Sequence, residues 1–200
     1  MEIINILNGL QEIYLANTCI KPNGAKLLGL HEGHTPPYAD HVIFAPMSKQ
    51  QEAYIMESVR LPIPEELLLL FNYSNGLCMY YGIIPIANYS IPFSHFTIYG
   101  IPRPRIEVSQ MEPFNITIED LDRSKGTPKQ WLKFGAYSSM YDIDNRLDLF
   151  VDTSSGKTYS SKNKAPRVKI EHEWLSIDAC LCWCFSYLQT QTTPDKLRGI

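Results

Sequence analysis

Apolar residues at helical spacing mark both ends of the chain. Between residues 2 and 16 an apolar position recurs every three or four residues, which predicts an amphipathic helix. Within 174–188, a second predicted helix collects its apolar residues on one face. These residues are Ile177, Cys180, Leu181, Cys184 and Leu188. Because each helix has one apolar face, we expect both to cover a common sheet.

A third helix is predicted between Leu61 and Gly76, where both of its ends are marked. Pro62 and Pro64 stand before and at its start, where a missing N–H costs nothing. Its centre is a continuous apolar run, and the pair Asn75-Gly76 is well suited to the left-handed conformation that ends a helix. The stretch therefore predicts a core helix with a tight exit.

The region before this helix is expected to be mostly irregular. Asn17–Asn23 is predicted as a loop, and the stretch 29–46 carries several Pro and Gly residues, with one strand expected at His41–Phe44. Ser48 followed by Gln51 has the pattern of a capping box, which predicts that a short helix begins there.

After Gly76 the pattern becomes that of β-strands. Leu77–Ile86 and Phe96–Ile101 are rich in Tyr and Ile, and Trp131–Ala136 is also predicted as a strand. Phe114–Leu121 fits a short strand or a short helix equally well. The segments between them carry the Pro, Gly and Ser residues typical of loops.

A β-hairpin is predicted in the last third of the chain. Leu147, Leu149 and Val151 occupy alternate positions, which indicates a half-buried strand with this set facing inward. Thr153–Gly156 is the predicted turn and Lys157–Ser160 the return strand. Together the elements predict an α+β fold with a twisted, mainly antiparallel sheet of about five or six strands, flanked by helices from both chain ends.

The order of these elements resembles that of the SUKH superfamily. That family includes fungal cell-wall assembly regulators and many bacterial immunity proteins that neutralise polymorphic toxins. The resemblance covers most of the chain after residue 46. It runs from about Met47 through Leu61-Pro62 and Asn75-Gly76, FTIYG at Phe96–Gly100, LDLFVDTSSGKTY at Leu147–Tyr159, and the closing helix near Trp174–Leu188.

The resemblance also suggests how the chain is organised. Residues 1–200 are expected to form a single domain, because a chain of 200 residues is long enough for one substantial core. Within it, 1–46 would be an N-terminal extension or a divergent start, 47–189 a SUKH-like core, and 190–200 a polar tail. The resemblance says little about 1–46.

Composition excludes little, but it favours a globular protein of the cytoplasm. Hydrophobic residues make up 44% and charged residues 20%, and the net charge is −3, which argues against sequence-independent nucleic-acid binding. No signal peptide and no membrane-spanning run is recognised. The five cysteines do not form a disulfide framework, so a reducing compartment is expected.

His31, His34 and His41 are the first candidates for chemistry, with Glu32 and Asp40 nearby. Histidine with a carboxylate can bind zinc or transfer protons. The spacing is not that of a zinc signature, and a Pro- and Gly-rich segment need not bring the side chains together. A surface loop with ordinary histidines is the favoured interpretation, and a metal-dependent enzyme using His31–His41 is the alternative.

The run Cys180-x-Cys182-x-Cys184 is the second candidate. On a helix, Cys182 points away from its two neighbours, because successive residues are rotated by about 100°. Three thiolates at this spacing cannot meet on one ion, so Cys180 and Cys184 are expected on the core face as small hydrophobic residues. Neither a metal nor a cofactor is predicted for this chain.

Carboxylates form the third candidate. The run from Asp142 to Asp148 starts like a calcium loop, but it lacks the glycine and the closing glutamate of such a loop, and a solvated turn and strand face is favoured. An acidic patch could still steer a basic partner. Its candidate residues are Glu112, Glu119, Asp120, Asp122, Asp142, Asp144 and Asp148.

Nucleophilic catalysis has no motif here, since neither a G-x-S-x-G elbow nor a glycine-rich phosphate loop is present. A non-catalytic protein-binding module is therefore expected. The resemblance implies an immunity protein whose partner is a cognate toxin, for example one with a nuclease-type domain, with no direct contact to nucleic acid or membrane. A regulatory scaffold of the same fold is the alternative, and the oligomeric state stays open.

Overall fold

The computed structural model describes residues 1–31, 38–58, 62–86, 89–100, 130–139, 142–162 and 169–191. In this part of the chain the fold is α+β, with one open antiparallel sheet of nine strands and four α-helices. The helices are α1 Glu2–Ile13, α2 Lys49–Ser58, α3 Glu65–Tyr73 and α4 Ile177–Gln191, with a 3-10 turn at Leu15–Asn17. The strands are β1 Thr18–Ile20, β2 Lys26–His31, β3 Tyr38–Ile43, β4 Leu77–Ile86, β5 Tyr89–Ile98, β6 Trp131–Ser139, β7 Asp142–Asp152, β8 Thr158–Lys162 and β9 Lys169–Trp174.

Each strand of the sheet pairs with its neighbours in sequence. The spatial order runs from β1 to β9 without a crossover, and the neighbouring pairs are antiparallel. β1 and β9 are therefore the two edges of the described sheet. The hairpin predicted from the sequence is present, since β7 turns through 153–157 into β8 and Val151 pairs with Thr158.

The prediction of five or six strands was wrong, because β1, β2 and β9 were missed. β1 has only three residues. β2 contains Gly29 at φ +69°, a backbone conformation that interrupts strand alternation. β9 has the sequence KIEHEW, and an exposed edge strand of this kind carries charged side chains that hide its pattern. Phe114–Leu121 lies outside the described residues.

All four helices contribute to one hydrophobic core on one face of the sheet. Ile3 and Leu7 of α1 are fully buried there, as are three residues of α3 and Ile55 of α2. The predicted apolar face of the last helix is confirmed. Its buried members are Ile177, Cys180, Leu181, Cys184 and Leu188. From the strands, Leu28, Met79 and Leu149 join the same cluster.

A smaller cluster lies on the opposite face of the sheet. It contains Leu27, Val42 and Cys78, which are aligned across β2, β3 and β4. Adjacent residues of a strand point to opposite faces, so Leu27 lies in the smaller cluster and its neighbour Leu28 in the main core. Residues 1–46 thus supply a helix and three strands to the same sheet and core as the rest of the chain.

Carboxylates from one helix bind the first amides of another. The Asp178 carboxylate of α4 accepts the N–H groups of Glu2 and Ile3 in α1, at 2.9 and 3.0 Å. Glu66 of α3 accepts the N–H of Ile177 at the start of α4, at 2.8 Å. These bonds satisfy amides that have no partner within their own helix, and they place negative charge at positive helix ends.

The predicted start of α2 is confirmed, whereas α3 does not end as predicted. Ser48 and Gln51 form the capping box, because the Gln51 N–H donates to Ser48 Oγ and the Ser48 N–H donates to Gln51 Oε1. α3 ends at Tyr73, and the next residue, Ser74, is extended with φ −152° and ψ 120°, so the left-handed Gly76 (φ +105°) lies in the turn after the helix and is not its cap. None of the helices in the described ranges is long and apolar enough to cross a membrane.

Candidate functional site

The candidate site is an aromatic surface where α4 meets the edge strand β9. His172 and Trp174 are two residues apart on β9 and so share one face of the strand. Trp183 and Tyr187 are four residues apart on α4 and so share one face of the helix. We call these four residues the aromatic surface.

The four rings are packed side by side. The centroid of His172 lies 5.6 Å from Trp174, nearly parallel to it, and 4.9 Å from Trp183. The indoles of Trp174 and Trp183 are 5.3 Å apart, and Trp183 stacks on Tyr187 at 4.9 Å with an angle of 6°. These separations are those of favourable aromatic pairs, so the rings hold one another in place.

Two buried hydroxyl groups hold His172 from beneath. Its Nδ1 lies 3.1 Å from the hydroxyl of Tyr137 and 3.1 Å from that of Ser160. Burial raises the pKa of Tyr137, so its hydroxyl keeps its proton and can donate to Nδ1. The ring of Tyr137 also meets Trp183 edge-on at 5.8 Å. The imidazole orientation is therefore set by the core.

A histidine beside a serine raises the question of nucleophilic catalysis. Ser160 is fully buried, with 0% of its surface exposed, so its hydroxyl does not face a substrate. The same Nδ1 also contacts Tyr137, so it is not dedicated to the serine. The arrangement can orient an imidazole at a surface, and it does not present an activated nucleophile.

The aromatic surface is open to solvent on its outer side. His172 is exposed, and Trp174, Trp183 and Tyr187 are half-buried. Two further apolar side chains near this edge are exposed, Ile170 to 47% and Leu175 to 81%. Ile170 pairs with Ser161 and His172 with Ser160, so Ile170 lies on the opposite face of the sheet from the aromatic surface. Half-exposed Trp and Tyr side chains on a rigid base are typical anchors of protein interfaces.

The carboxylates of the predicted acidic patch are only partly described. Asp148 is paired with Lys133 at 2.9 Å, and their side chains are only 15% and 17% exposed. Its charge is therefore largely neutralised. Asp142 and Asp144 lie in β7, and their side chains are outside the described residues. The same holds for the whole of Glu112, Glu119, Asp120 and Asp122.

For His41, the prediction of an ordinary histidine in a surface loop was wrong. It lies in β3 with 4% of its surface exposed, and its ring meets that of Tyr14 at 5.5 Å. Burial lowers the pKa of His41 to about 4 despite the nearby Asp40. His34 and the side chain of His31 are outside the described residues. Among the residues that are described, no three His, Cys, Asp or Glu side chains are placed to hold a metal ion.

The predicted placement of the cysteines on α4 is confirmed. Cys180 and Cys184 are fully buried in the core, and Cys182 is half-buried and points elsewhere. Burial raises the pKa of both Cys180 and Cys182, so these thiols stay protonated and behave as apolar groups.

Sequence reasoning did not single out the aromatic surface. Its signal is present on α4, where Trp183 and Tyr187 are spaced by four. On the strand side the signal is His172 and Trp174 spaced by two, but β9 was not predicted. Without that strand, nothing places the two pairs together.

Comparisons of the chain with family models, with curated proteins and with solved structures gave no match. The function therefore rests on the site itself and on the sequence resemblance.

Proposed function

We propose that this chain is a non-catalytic protein-binding module that acts as an immunity protein against a cognate toxin. The observation that carries the binding role is the half-exposed aromatic surface, held from beneath by Tyr137 and Ser160. A rigid cluster of Trp and Tyr side chains loses little conformational freedom on binding, and such clusters supply much of the affinity of protein interfaces.

The immunity role rests on the resemblance to the SUKH superfamily. In favour of it, a short helix with a buried face follows Leu61-Pro62, and a glycine with positive φ, Gly76, comes three residues after the helix ends. An antiparallel sheet and a closing helix follow in the order that the resemblance implies. The family's binding surface varies between members, so the aromatic surface is assigned from this chain and not from the family.

A capture experiment in two stages tests the function. The tagged protein is first recovered from its own host, under conditions where toxins are expressed, and its stoichiometric partner after a high-salt wash is identified. That partner is then expressed in a neutral bacterial host with and without this chain. We expect the partner alone to stop growth and co-expression of the chain to restore it.

The control is a chain with Trp183→Ala, compared with Tyr54→Ala. Tyr54 is a 46% exposed aromatic residue on α2, away from α4 in sequence. Protection should be weakened by the first substitution and kept by the second, with both proteins shown to be folded by circular dichroism. A partner that is harmless when expressed alone would refute the immunity role and favour the regulatory scaffold. An equal loss of protection from Trp183→Ala and Tyr54→Ala would show that the aromatic surface is not the binding site.

A further inference from the structure

The hydrogen bonds beneath the aromatic surface fit only one protonation state of His172. We propose that protonation of His172 releases its imidazole from the hydroxyls of Tyr137 and Ser160, opens the packing of the aromatic surface and weakens binding of the protein partner. The release follows from the contacts of His172 alone. Its effect on binding rests on the proposed function, because it regulates the same surface.

Three polar atoms meet beneath the aromatic surface, each bonded to the other two. The Nδ1 of His172 lies 3.1 Å from the hydroxyl of Tyr137 and 3.1 Å from that of Ser160. The Ser160 hydroxyl also bonds that of Tyr137. Tyr137 is 3% exposed and Ser160 0%, so both hydroxyls are shielded from water. Within the described part of the chain, neither hydroxyl has a further hydrogen-bond partner.

A neutral imidazole satisfies both hydroxyls. Its Nδ1 then carries a lone pair, so one hydroxyl donates to Nδ1 and the other hydroxyl donates to the oxygen of the first. Each hydroxyl proton thus has an acceptor. The arrangement requires the tautomer of His172 that carries its proton on Nε2 and leaves Nδ1 free to accept.

Protonation removes the acceptor on which this arrangement depends. The Nδ1 of an imidazolium carries a proton and can only donate. The contact between the two hydroxyls holds one of their protons, and the other proton is left without an acceptor. A buried hydroxyl that lacks an acceptor is costly, so the ring is expected to move far enough for water to reach it.

Attraction of the imidazolium to the neighbouring indoles opposes this release but is weaker. The ring of His172 lies 5.6 Å from that of Trp174 and 4.9 Å from that of Trp183. His172 is exposed, and an exposed cation gains less from aromatic faces than a buried hydroxyl loses without an acceptor. β9 is also an edge of the described sheet, so His172 can move without displacing another strand.

The groups that surround His172 titrate outside the pH range of imidazole. Glu171 and Glu173 of its own strand form ion pairs with Lys169 and Lys157. Imidazole takes up its proton between about pH 8 and pH 5, carboxyl groups do so near about pH 4, and tyrosine, cysteine and lysine side chains lose theirs above about pH 8. β8 presents Ser160, which does not titrate. The described titratable groups that β6 and α4 present are Tyr137, Cys180, Cys184 and Tyr187.

NMR spectra of the purified full-length chain test the release without a partner. The ring signals of His172 report its protonation, and cross-peaks between the ring protons of His172 and Trp183 report their contact. These cross-peaks should weaken by about twofold or more between pH 7.5 and pH 5.5, where imidazole becomes protonated. Trp131, which stacks on Tyr159 at 4.5 Å, is the internal control and should keep its cross-peaks.

Two variants separate the loss of the acceptor from the added charge. The double variant Tyr137→Phe with Ser160→Ala keeps His172 but has no hydroxyl to leave unpaired, so its cross-peaks between His172 and Trp183 should persist at pH 5.5. His172→Asn supplies a carboxamide oxygen as acceptor and does not titrate. Its cross-peaks between Trp174 and Trp183, whose rings are 5.3 Å apart, should be the same at both pH values, whereas those of the wild type weaken.

Binding of the captured partner is then compared at the two pH values. The affinity of the wild type should fall by about three- to ten-fold from pH 7.5 to pH 5.5, because an ordinary imidazole is then mostly protonated. His172→Asn and the double variant should each lose less than about twofold.

The possible failures are distinguishable. Cross-peaks that persist in the wild type while His172 is protonated would overturn the release, and so would a double variant that responds to pH as the wild type does. If the double variant does not fold, the comparison of the wild type with His172→Asn decides. Equal pH dependence of binding for these two proteins would overturn the regulation while leaving an established toxin partner in place. If no toxin partner is found, the proposed function fails, and the NMR spectra still decide on the release.

Discussion

Among single residues, His41 links the stability of the fold to pH. Its pKa is lowered by burial to about 4, against about 6.5 in an unfolded chain. Between these values the unfolded chain takes up a proton that the folded one does not. Stability should therefore be full above about pH 6.5 and should fall as the pH drops towards 4, by up to about 3 kcal/mol.

Urea unfolding between pH 7 and pH 4 measures this loss. Carboxylates titrate in the same range, so the variant His41→Gln is the reference. Its free energy of unfolding should fall less steeply with decreasing pH than that of the wild type. Parallel curves for the two proteins would show that His41 does not contribute.

Gly29 is a second residue whose identity the fold requires. Its φ of +69° is strained for any residue with a Cβ, and a Cβ built there would overlap Asp40 Oδ2 and the ring of Tyr14. Gly29→Ala should lower the free energy of unfolding by about 1–3 kcal/mol. Gly9→Ala is the matched control, because Gly9 lies inside α1 with no heavy atom within 4 Å of the added Cβ.

The control variant Gly9→Ala should raise the free energy of unfolding by about 0.5–1 kcal/mol, since alanine is a better helix former than glycine. Urea midpoints at an unchanged slope give both values. A harmless Gly29→Ala would mean that β2 can relax its backbone at this position.

At the scale of elements, two adjacent glutamates on α3 differ in their contacts with α4. Glu66 accepts the N–H of Ile177 across 111 residues of sequence, whereas Glu65 is exposed. Glu66→Ala should cost about 1 kcal/mol, because the first amide of α4 loses a charged acceptor. Glu65→Ala should change stability by a few tenths of a kcal/mol. Thermal or urea unfolding of the two variants measures the difference, and equal losses would contradict the role of the contact between helices.

Elements with a strong local signal were predicted from the sequence. The capping box at Ser48, the apolar face of α4 and the alternation of β7 each depend on residues close together in the chain. The missed elements depend on distant ones. β9 is a strand because β8 offers it an edge, and β1 because β2 does. The alternation of β2 is broken by Gly29, whose positive φ and close neighbours Tyr14 and Asp40 leave no room for a Cβ.

The candidate site was less predictable than the fold for the same reason. Aromatic residues on α4 and β9 become one surface only when the last strand and the last helix pack together. Tyr137 and Ser160, which hold His172, come from two further strands. Such a set has no spacing motif, because its members are joined by tertiary contacts alone.

At the scale of the whole molecule, the first 46 residues are expected to be necessary for folding. They provide Ile3, Leu7 and Leu28 to the main core, and β3 is the partner of β4. A chain lacking 1–46 should therefore fail to fold cooperatively, since it would expose both core and strand edge. Near-ultraviolet circular dichroism and urea unfolding would show this. A cooperative transition for the fragment would instead mark 1–46 as a dispensable extension.

The contact between α1 and α4 has a consequence for the sheet beneath them. α1 precedes one edge strand and α4 follows the other, and nine strands place those edges about 38 Å apart. Both helices begin at this contact, because Glu2 and Ile3 are the first residues of α1 and Asp178 is the second residue of α4. Asp178 joins them at Glu2 and Ile3. The contact thus joins the segment that leads into one edge strand to the segment that follows the other, although the two edges are eight strand spacings apart.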